Sequence, residues 1–260
     1  MLSVAWVEAL SPWRLFGGVL GLWVLVSALA SALGFLAERA LRTKTLFAVP
    51  RFAGQYRFEL LGSAVFVLTA SAAVTLALSR RWVHFSASTP RDHLVTFASM
   101  TLGFQVFYWF AHRAMHHRRL VFLHRWHHRS QVTTPLTGQS TSLGEALVWQ
   151  LGYVGLAALL ARALPFTFEG WVGYLVFNVF GNVFGHSNIE PTAPVAATRW
   201  ATWFANAFIY HALHHARWTG HYSFQSALMD RLMGTEWPDW PALYAQIVAG
   251  RPLTSLKARG

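Results

Sequence analysis

Residues 94–128 read LVTFASMTLGFQVFYWFAHRAMHHRRLVFLHRWHH. The first half, Leu94–Ala111, carries no charge, and the second holds His112, His116, His117, His124, His127 and His128. A helix needs about 17–25 apolar residues to span a bilayer, and residues three or four apart share one helix face. The stretch therefore predicts a membrane helix that delivers a set of imidazoles at its end. Two more charge-free runs of spanning length precede it, Leu15–Ala37 and Leu60–Ser79. Two shorter runs follow, Ala146–Ala161 and Gly170–Gly185, separated by Arg162, Pro165 and Glu169. They read as a helical hairpin turning near Pro165, fully across or partway into the membrane. Core helices of a soluble lobe are the alternative.

Composition points the same way. Of the 260 residues, 54% are hydrophobic and 12% charged, with a mean hydropathy of +0.35. Soluble domains carry about 25% charged residues, so an ordinary soluble fold is excluded, and so is disorder, which needs the opposite balance. The expected class is an all-α integral membrane protein, with about three transmembrane helices plus the hairpin. It is one membrane-embedded domain over 1–260, with the transmembrane helices in 15–111 and the hairpin in 146–185. No repeat, low-complexity tract or linker divides it. Ala28-Leu29-Ala30 imitates a signal-peptide cleavage site. Glu8 and Arg14 are a poor basic region, however, and the apolar run continues to Ala37, so a retained anchor is expected.

Sixteen of the 21 basic residues fall in segments 38–57, 112–145 and 186–260, and five (Arg14, Arg80, Arg81, Arg91, Arg162) fall on the other side. The positive-inside rule then places the first three segments in the cytoplasm. Trp82, Trp109 and Trp171 stand at run ends, as an interfacial aromatic belt would place them. The net charge of +11 is assigned to lipid headgroups beside the spans. No nucleic-acid motif accompanies it, and no nucleic-acid partner is expected.

The chain has no cysteine and 13 histidines. Disulfides, thiolate metal sites and cysteine nucleophiles are thereby excluded. Beyond the six already quoted, His211, His214, His215 and His221 cluster in 211–221, and His186 ends the last apolar run. His84 and His93 lie in the opposite loop and read as surface residues. The spacings are H-x3-H (His112, His116), H-x2-H-H (His124, His127, His128) and H-x2-H-H again (His211, His214, His215). Neutral imidazole is a good ligand for Zn, Fe, Cu and Ni. A single zinc takes three or four ligands, so eight or nine candidates suit two ions. The H-E-x-x-H protease signature and the Glu-x-x-His pattern of carboxylate di-iron bundles are both absent. The nearest carboxylates are Glu145, Glu190, Asp230 and Glu236. Met100, Met115 and Met229 read as packing, and Tyr108 as a membrane-interface tyrosine or a hydrogen-bond donor near the site.

These residues resemble the fatty acid hydroxylase/sterol desaturase superfamily. Tyr108-Trp109, the stretch from His112 to His117, and Phe122-Leu123-His124-Arg125-Trp126-His127-His128-Arg129-Ser130 are similar to its first two boxes. Glu145 matches the Glu of its His-Pro-x-Glu element, although Gly144 departs from it. His186-Ser187-Asn188-Ile189 is similar to its H-[SA]-N-I turn, His211 to His215 to its last box, and Asp230-Arg231 to Gly234-Thr235 to its closing D-R-x-x-G-T. The match covers roughly residues 100–238. His221 replaces an Asn of the family pattern and Met229 a Trp. Asn182 stands where fatty acid 2-hydroxylases tend to have another His. With the H-x3-H first box, this leans towards the sterol desaturase branch.

The resemblance implies membrane helices capped by a cytosolic helical metal-binding lobe, here 112–145 and 186–238. It implies an oxygen-dependent, non-haem di-iron oxidase that hydroxylates or desaturates an unactivated C–H position of a membrane lipid, sterol or fatty-acyl in type. The implied ligands of the two Fe are His112, His116, His124, His127, His128, His186, His211, His214 and His215. His117, His221, Asp230, Glu145 and Asn182 are outer partners or possible ligands. O2 is the co-substrate. An external electron-transfer protein and its reductase are the implied partners, with Arg118, Arg119 and Arg125 meeting either an acidic donor or headgroups. A histidine-rich metal-binding or transport protein without oxidase activity is the other reading. Transporters, however, place ligands near the bilayer midplane, and these histidines flank the spans. The end Lys257-Ala258-Arg259-Gly260 carries no KDEL-type signal, and a bacterial inner membrane is the expected location.

Overall fold

The computed structural model describes residues 9–86, 89–198 and 200–260. Glu8 and Arg199, counted above, lie outside the described residues. The chain is helical throughout, with isolated β-bridges only among the described residues. Five long helices make the bundle: α1 (Pro12–Ala40), α2 (Gln55–Ser79), α3 (Pro90–Met115), α4 (Leu143–Leu160) and α5 (Phe168–Gly185). Three shorter ones follow: α6 (Phe208–Arg217), α7 (Leu228–Leu232) and α8 (Trp240–Val248). Local sequence sets the starts. Thr89 and Asp92 close a capping box ahead of α3, with Pro90 in the first turn. Ser142 and Thr167 accept backbone N–H groups at the starts of α4 and α5.

Helices α1 to α4 are each long and apolar enough to cross a membrane. The shorter-run hairpin is present as α4 and α5 around the turn at 161–167. Its first arm starts earlier than the charge-free run, at Leu143, and includes a π-helical turn at Leu151–Gly155. Helix α5 carries Glu169, Asn178 and Asn182 and is not among the four helices that meet the length and hydropathy needed to cross a membrane. It packs against α1 and α3, and its Asn178 is buried, accepting from Tyr153 Oη at 2.7 Å and from Asn182 Nδ2 at 2.7 Å. Polar side chains inside an apolar bundle are tolerable only when bonded in this way.

The connections sort to two ends. At one, Ser86 N donates to Phe166 O at 2.8 Å and His93 Nδ1 meets Thr167 Oγ1 at 3.0 Å. At the other, Leu46 N donates to Asn188 O, Ala48 N to Leu253 O and Glu190 N to Lys44 O. The segments after α1, α3 and α5 thus gather into one lobe with its own core of Leu46, Phe47, Ile209, Tyr210, Leu213, Trp240 and Leu243. Three expectations need correction. Trp109 and Trp171 are buried, not interfacial: Trp109 Nε1 donates to Asp230 Oδ1 at 3.0 Å and Trp171 Nε1 to Tyr153 O at 3.0 Å. Each indole N–H found a protein acceptor, so neither ring needs the water boundary. Tyr108 is also buried, stacked on Trp149 at 4.8 Å between ring centroids. His93 is half-buried against Thr167 rather than a free surface residue, whereas Trp82 and His84 are exposed.

A buried carboxylate fastens the lobe to the bundle. Glu59 on α2 accepts from Thr134 Oγ1 at 2.6 Å, Thr137 Oγ1 at 2.6 Å and Gln55 Nε2 at 2.8 Å. Gln55 Nε2 also donates to Val132 O at 2.8 Å. The loop held this way closes on α5 at Gly138, where an added Cβ would lie 2.6 Å from Asn182 O. Only glycine permits that backbone approach. Replacing Glu59 by Ala removes the acceptor for three buried donors, worth about 3 kcal/mol in sum. Thermal unfolding of Glu59→Ala in detergent is expected well below wild type, with Glu59→Gln intermediate because it keeps one acceptor oxygen.

Candidate metal centre

Four short pieces of chain bring nine imidazoles together. The last turn and cap of α3 supply His112 and His116, one turn apart on one face. The helical turn Val121–His124 and the tight turn after it supply His124, His127 and His128. The end of α5 supplies His186, and α6 supplies His211, His214 and His215. They form two groups, each with one ligand atom per residue inside a 4.8 Å span: His112, His116, His124, His128 and His214; and His127, His186, His211 and His215. The groups are neighbours, with the rings of His128 and His215 4.6 Å apart and those of His124 and His127 5.2 Å apart. Adjacent histidines go to different groups. One residue is about 100° of helix, so His127 and His128 diverge, as do His214 and His215.

Six of the nine outer nitrogens are held by fixed acceptors. Nδ1 donates to Tyr222 O from His112 (2.7 Å), Glu145 Oε1 from His124 (2.8 Å), Ser140 O from His127 (3.2 Å), Asn182 O from His186 (2.6 Å), Gly220 O from His214 (2.7 Å) and Ser130 O from His215 (3.0 Å). A carbonyl can only accept. The five imidazoles bonded to carbonyls are therefore protonated on Nδ1 and turn their Nε2 lone pairs inwards, and His124 is held through Nδ1 by the Glu145 carboxyl group.

That arrangement fits a metal. His127 and His186 both have Nδ1 committed to carbonyls, yet their Nε2 atoms face each other at 3.3 Å. Two lone pairs at that distance repel unless a cation lies between them. Nε2 of His124 and of His215 is buried with no protein partner, although buried polar atoms are normally satisfied. Orientation of a ligating His by a carboxylate or carbonyl on its far nitrogen is the usual support of a metal site.

The remaining candidates take other positions. Glu145 is buried and accepts from both His124 Nδ1 and Trp149 Nε1. Asn182 acts through its backbone oxygen on His186, and its side chain bonds Asn178. Asp230 is a buried hub that accepts from Trp109 Nε1, Tyr210 Oη, Tyr222 N, Ser223 N and Thr235 Oγ1. By holding Tyr222 it fixes the carbonyl that orients His112. His117 is exposed and outside both groups, and His84 and His93 are at the far end. His221 is buried but also outside both groups: its ring stacks on Tyr210 at 3.6 Å and its Nδ1 donates to Tyr210 O at 2.8 Å. The residues that sequence reading missed act through backbone oxygen (Ser130, Ser140, Gly220 and Tyr222), which leaves no side-chain signature. Phe224, stacked 5.2 Å from His186 and 4.6 Å from His211, was missed as well. A cavity beside the centre is bounded by Phe66, Tyr108, Thr141, Glu145, Trp149 and Tyr153 together with His127 and His186.

Burial holds the lobe imidazoles neutral. It pushes His116 and His127 down to about 4, and it holds His124, His128, His186, His211, His214 and His215 well below their ordinary range, with neighbouring imidazoles adding to the effect. The folded chain therefore binds fewer protons than the unfolded one wherever unfolded histidine, near pKa 6.5, is protonated. For the metal-free protein this stabilising contribution is full above about pH 6.5 and is lost as pH falls towards about 4. Its unfolding temperature in detergent should fall steadily across that window.

The grouping also predicts metal content. Elemental analysis should give about two ions per wild-type chain, as two adjacent ligand sets require. His116→Ala should lose the ion of the first group and His186→Ala that of the second, leaving about one each. Equal loss of both ions in either variant would contradict two separable sites.

Residues 97–235, more than half of the chain, match the family model described as fatty acid hydroxylase. A very-long-chain aldehyde decarbonylase of Oryza sativa subsp. indica (GL1-6) is 30% identical over 152 residues, which are 56% of this chain and 23% of that protein. The very-long-chain aldehyde decarbonylase CER1 of Arabidopsis thaliana is 29% identical over 135 residues, 50% of this chain and 21% of that protein. The protein CER1-like 2 of Arabidopsis thaliana is 31% identical over 140 residues, 50% of this chain and 22% of that protein. The chain thus spans less than a quarter of the length of these relatives. No solved structure matches it.

Proposed function

The chain belongs to the fatty acid hydroxylase family, and from that membership we propose that it is an integral-membrane, oxygen-dependent lipid oxidase holding two irons. The observation that carries this reading is the pair of adjacent imidazole groups with lone pairs converging at the end of a membrane bundle. The nine histidines of the two groups are the proposed ligands. Two irons there would supply oxidising power from O2 and external electrons against an unactivated C–H bond.

The chain's own residues do the rest. Six Nδ1–H donors keep their rings from turning, so the ligand atoms stay aimed without reorganisation. Glu145 bonds His124 Nδ1 and fixes the orientation of its ring. Phe66, Trp149 and Tyr153 supply ring walls to the adjacent cavity. No carboxylate belongs to either group among the described residues, so the proposed centre is an imidazole one.

The substrate is proposed as a membrane lipid with a long apolar chain, of sterol or fatty-acyl type, undergoing hydroxylation or desaturation. The relatives' names favour a second reading, in which the substrate is a very-long-chain aldehyde that loses its carbonyl carbon. Electrons are proposed to come from a separate transfer protein and reductase. Exposed Arg118, Arg119 and Arg125 beside the centre are cations that an acidic donor or headgroups would meet. The lobe of 112–145 and 186–238 is proposed to be cytoplasmic on the sixteen-to-five distribution of basic residues. A bacterial inner membrane is proposed as its location, although the relatives above are from plants.

Mass spectrometry of lipid extracts from cells making wild type or His214→Ala tests the reaction. Hydroxylation is expected as a gain of about 16 mass units and desaturation as a loss of about 2, with decarbonylation giving a hydrocarbon one carbon shorter. Each product should depend on O2 and vanish in His214→Ala. Identical lipids from both strains would refute the oxidase.

A further inference from the structure

Large apolar side chains are exposed where no long helix explains them. Trp200 is 80% exposed and Phe204 84%, beside Val195, while Leu232 and Met233 at α7 are exposed as well. These residues are not scattered. Arg231 Nη2 donates to Thr202 Oγ1 at 2.6 Å, its guanidinium lies 5.7 Å from the Trp203 ring, and Ala227 N donates to Thr202 O at 2.7 Å. The 200–204 turn is thereby fixed on α7. Helix α7 is pinned in turn to α3 by Trp109 and Asp230. On α3, Leu102, Val106 and Phe110 are exposed four residues apart, one stripe down the helix. The exposed apolar side chains of α7 and the 200–204 turn are thus tied to the same helix that carries this stripe.

Asn206, two residues beyond that turn, holds the roof of a narrow slit. Asn206 N donates to Gln225 O at 2.8 Å and Asn206 Nδ2 to Phe224 O at 3.1 Å. Phe224 and Gln225 line the slit with Gln105, Tyr108, Asn182 and Met229, and Phe224 packs directly on His186 and His211. The slit therefore runs between α3 and α5 towards the imidazoles, under chain that is tied to the exposed apolar face.

We propose that Val195, Trp200, Phe204, Leu232 and Met233 form a foot bedded in the headgroup–acyl boundary of the bilayer, and that the slit beside it is the lateral mouth by which a lipid chain reaches the centre. Exposed contiguous apolar surface marks an interaction site, and a segment with apolar rings on one face binds at the membrane interface. Attachment to α3, a helix long and apolar enough to cross a membrane, selects lipid as the occupant over a protein partner. The mouth rests on the lipid-oxidase reading; the foot does not.

The absence of native cysteine allows single nitroxide labels with no background. Trp200→Cys, Phe204→Cys and Leu232→Cys, labelled in phosphatidylcholine/phosphatidylglycerol nanodiscs, are compared with Phe110→Cys as the lipid reference and Lys257→Cys as the water reference. Relaxation by O2 should match Phe110→Cys, and relaxation by a neutral water-soluble chelate should be at least about fivefold weaker than at Lys257→Cys. Chelate access equal to Lys257→Cys overturns the foot. Access to neither reagent overturns it too, because protein would then cover the face. Trp200 and Phe204 make little packing contact, so these variants keep the fold, which metal content checks. A Cβ at Gly181 would meet only Gln225 Nε2, at 3.5 Å, so Gly181→Cys reports on the mouth. A lipid-like response there supports the mouth, and a water-like response overturns it. Neither measurement needs turnover, so failure of the foot and failure of the proposed reaction are distinguishable.

Discussion

An imidazole is held with its lone pair on a buried point when its other nitrogen donates to a fixed acceptor. That constraint organises the lobe. Six of the nine clustered histidines send Nδ1–H to a protein oxygen, five of them to a backbone carbonyl. Four of the carbonyls (Ser130, Ser140, Gly220 and Tyr222) come from loops, because helices consume most of their own, and the fifth, Asn182 O, lies in the last turn of α5. The lobe therefore has to be rich in loop yet rigid, and its loops are held by other means. Glu59 ties the 132–137 loop to α2, Gly138 lets that loop close on α5, and Asp230 gathers the 222–223 backbone under Trp109 of α3.

Both of those carboxylates sit outside the metal groups and are buried completely. Each is surrounded by donors rather than by a counter-ion. Glu59 receives two hydroxyls and an amide; Asp230 receives two backbone N–H groups, an indole, a phenol and a hydroxyl. Each such bond fixes a direction as well as a distance. Glu59 so used fastens one loop to α2, and Asp230 joins α3, α6 and the 222–223 backbone to α7. This suits a lobe whose segments come from the ends of different membrane helices.

Much of this was legible from residues 94–128. A charge-free run followed by i, i+4 histidines specifies a helix that continues past the apolar stretch, and α3 does continue to Met115. The histidine spacings pointed to convergence, since each box can aim its rings at one place. The errors came where a side chain's surroundings, rather than its neighbours in sequence, decide its role. Trp109 and Trp171 at run ends look interfacial until Asp230 and the Tyr153 carbonyl are seen to accept their N–H groups. His221 has the same residue type and local density as the clustered histidines, yet a positive φ of 49° and stacking on Tyr210 turn it away. Backbone acceptors have no sequence signal at all. Glu59 did have one: it is an acid at the edge of the charge-free run Leu60–Ser79.

The division of the histidines has a consequence for how the two sites are coupled. Each group draws on three separate pieces of chain, and each adjacent pair, His127 with His128 and His214 with His215, is shared between groups. Consecutive Cα atoms are 3.8 Å apart whatever the side chains do. Two such pairs, on a tight turn and on α6, therefore act as covalent spacers between the groups. In carboxylate centres a bridging side chain can shift and let the spacing vary. Here neither group contains a carboxylate among the described residues, and the spacing is set by backbone instead. A displacement at either turn moves ligands of both groups together, so the two sites are mechanically one object even though each has its own ligands.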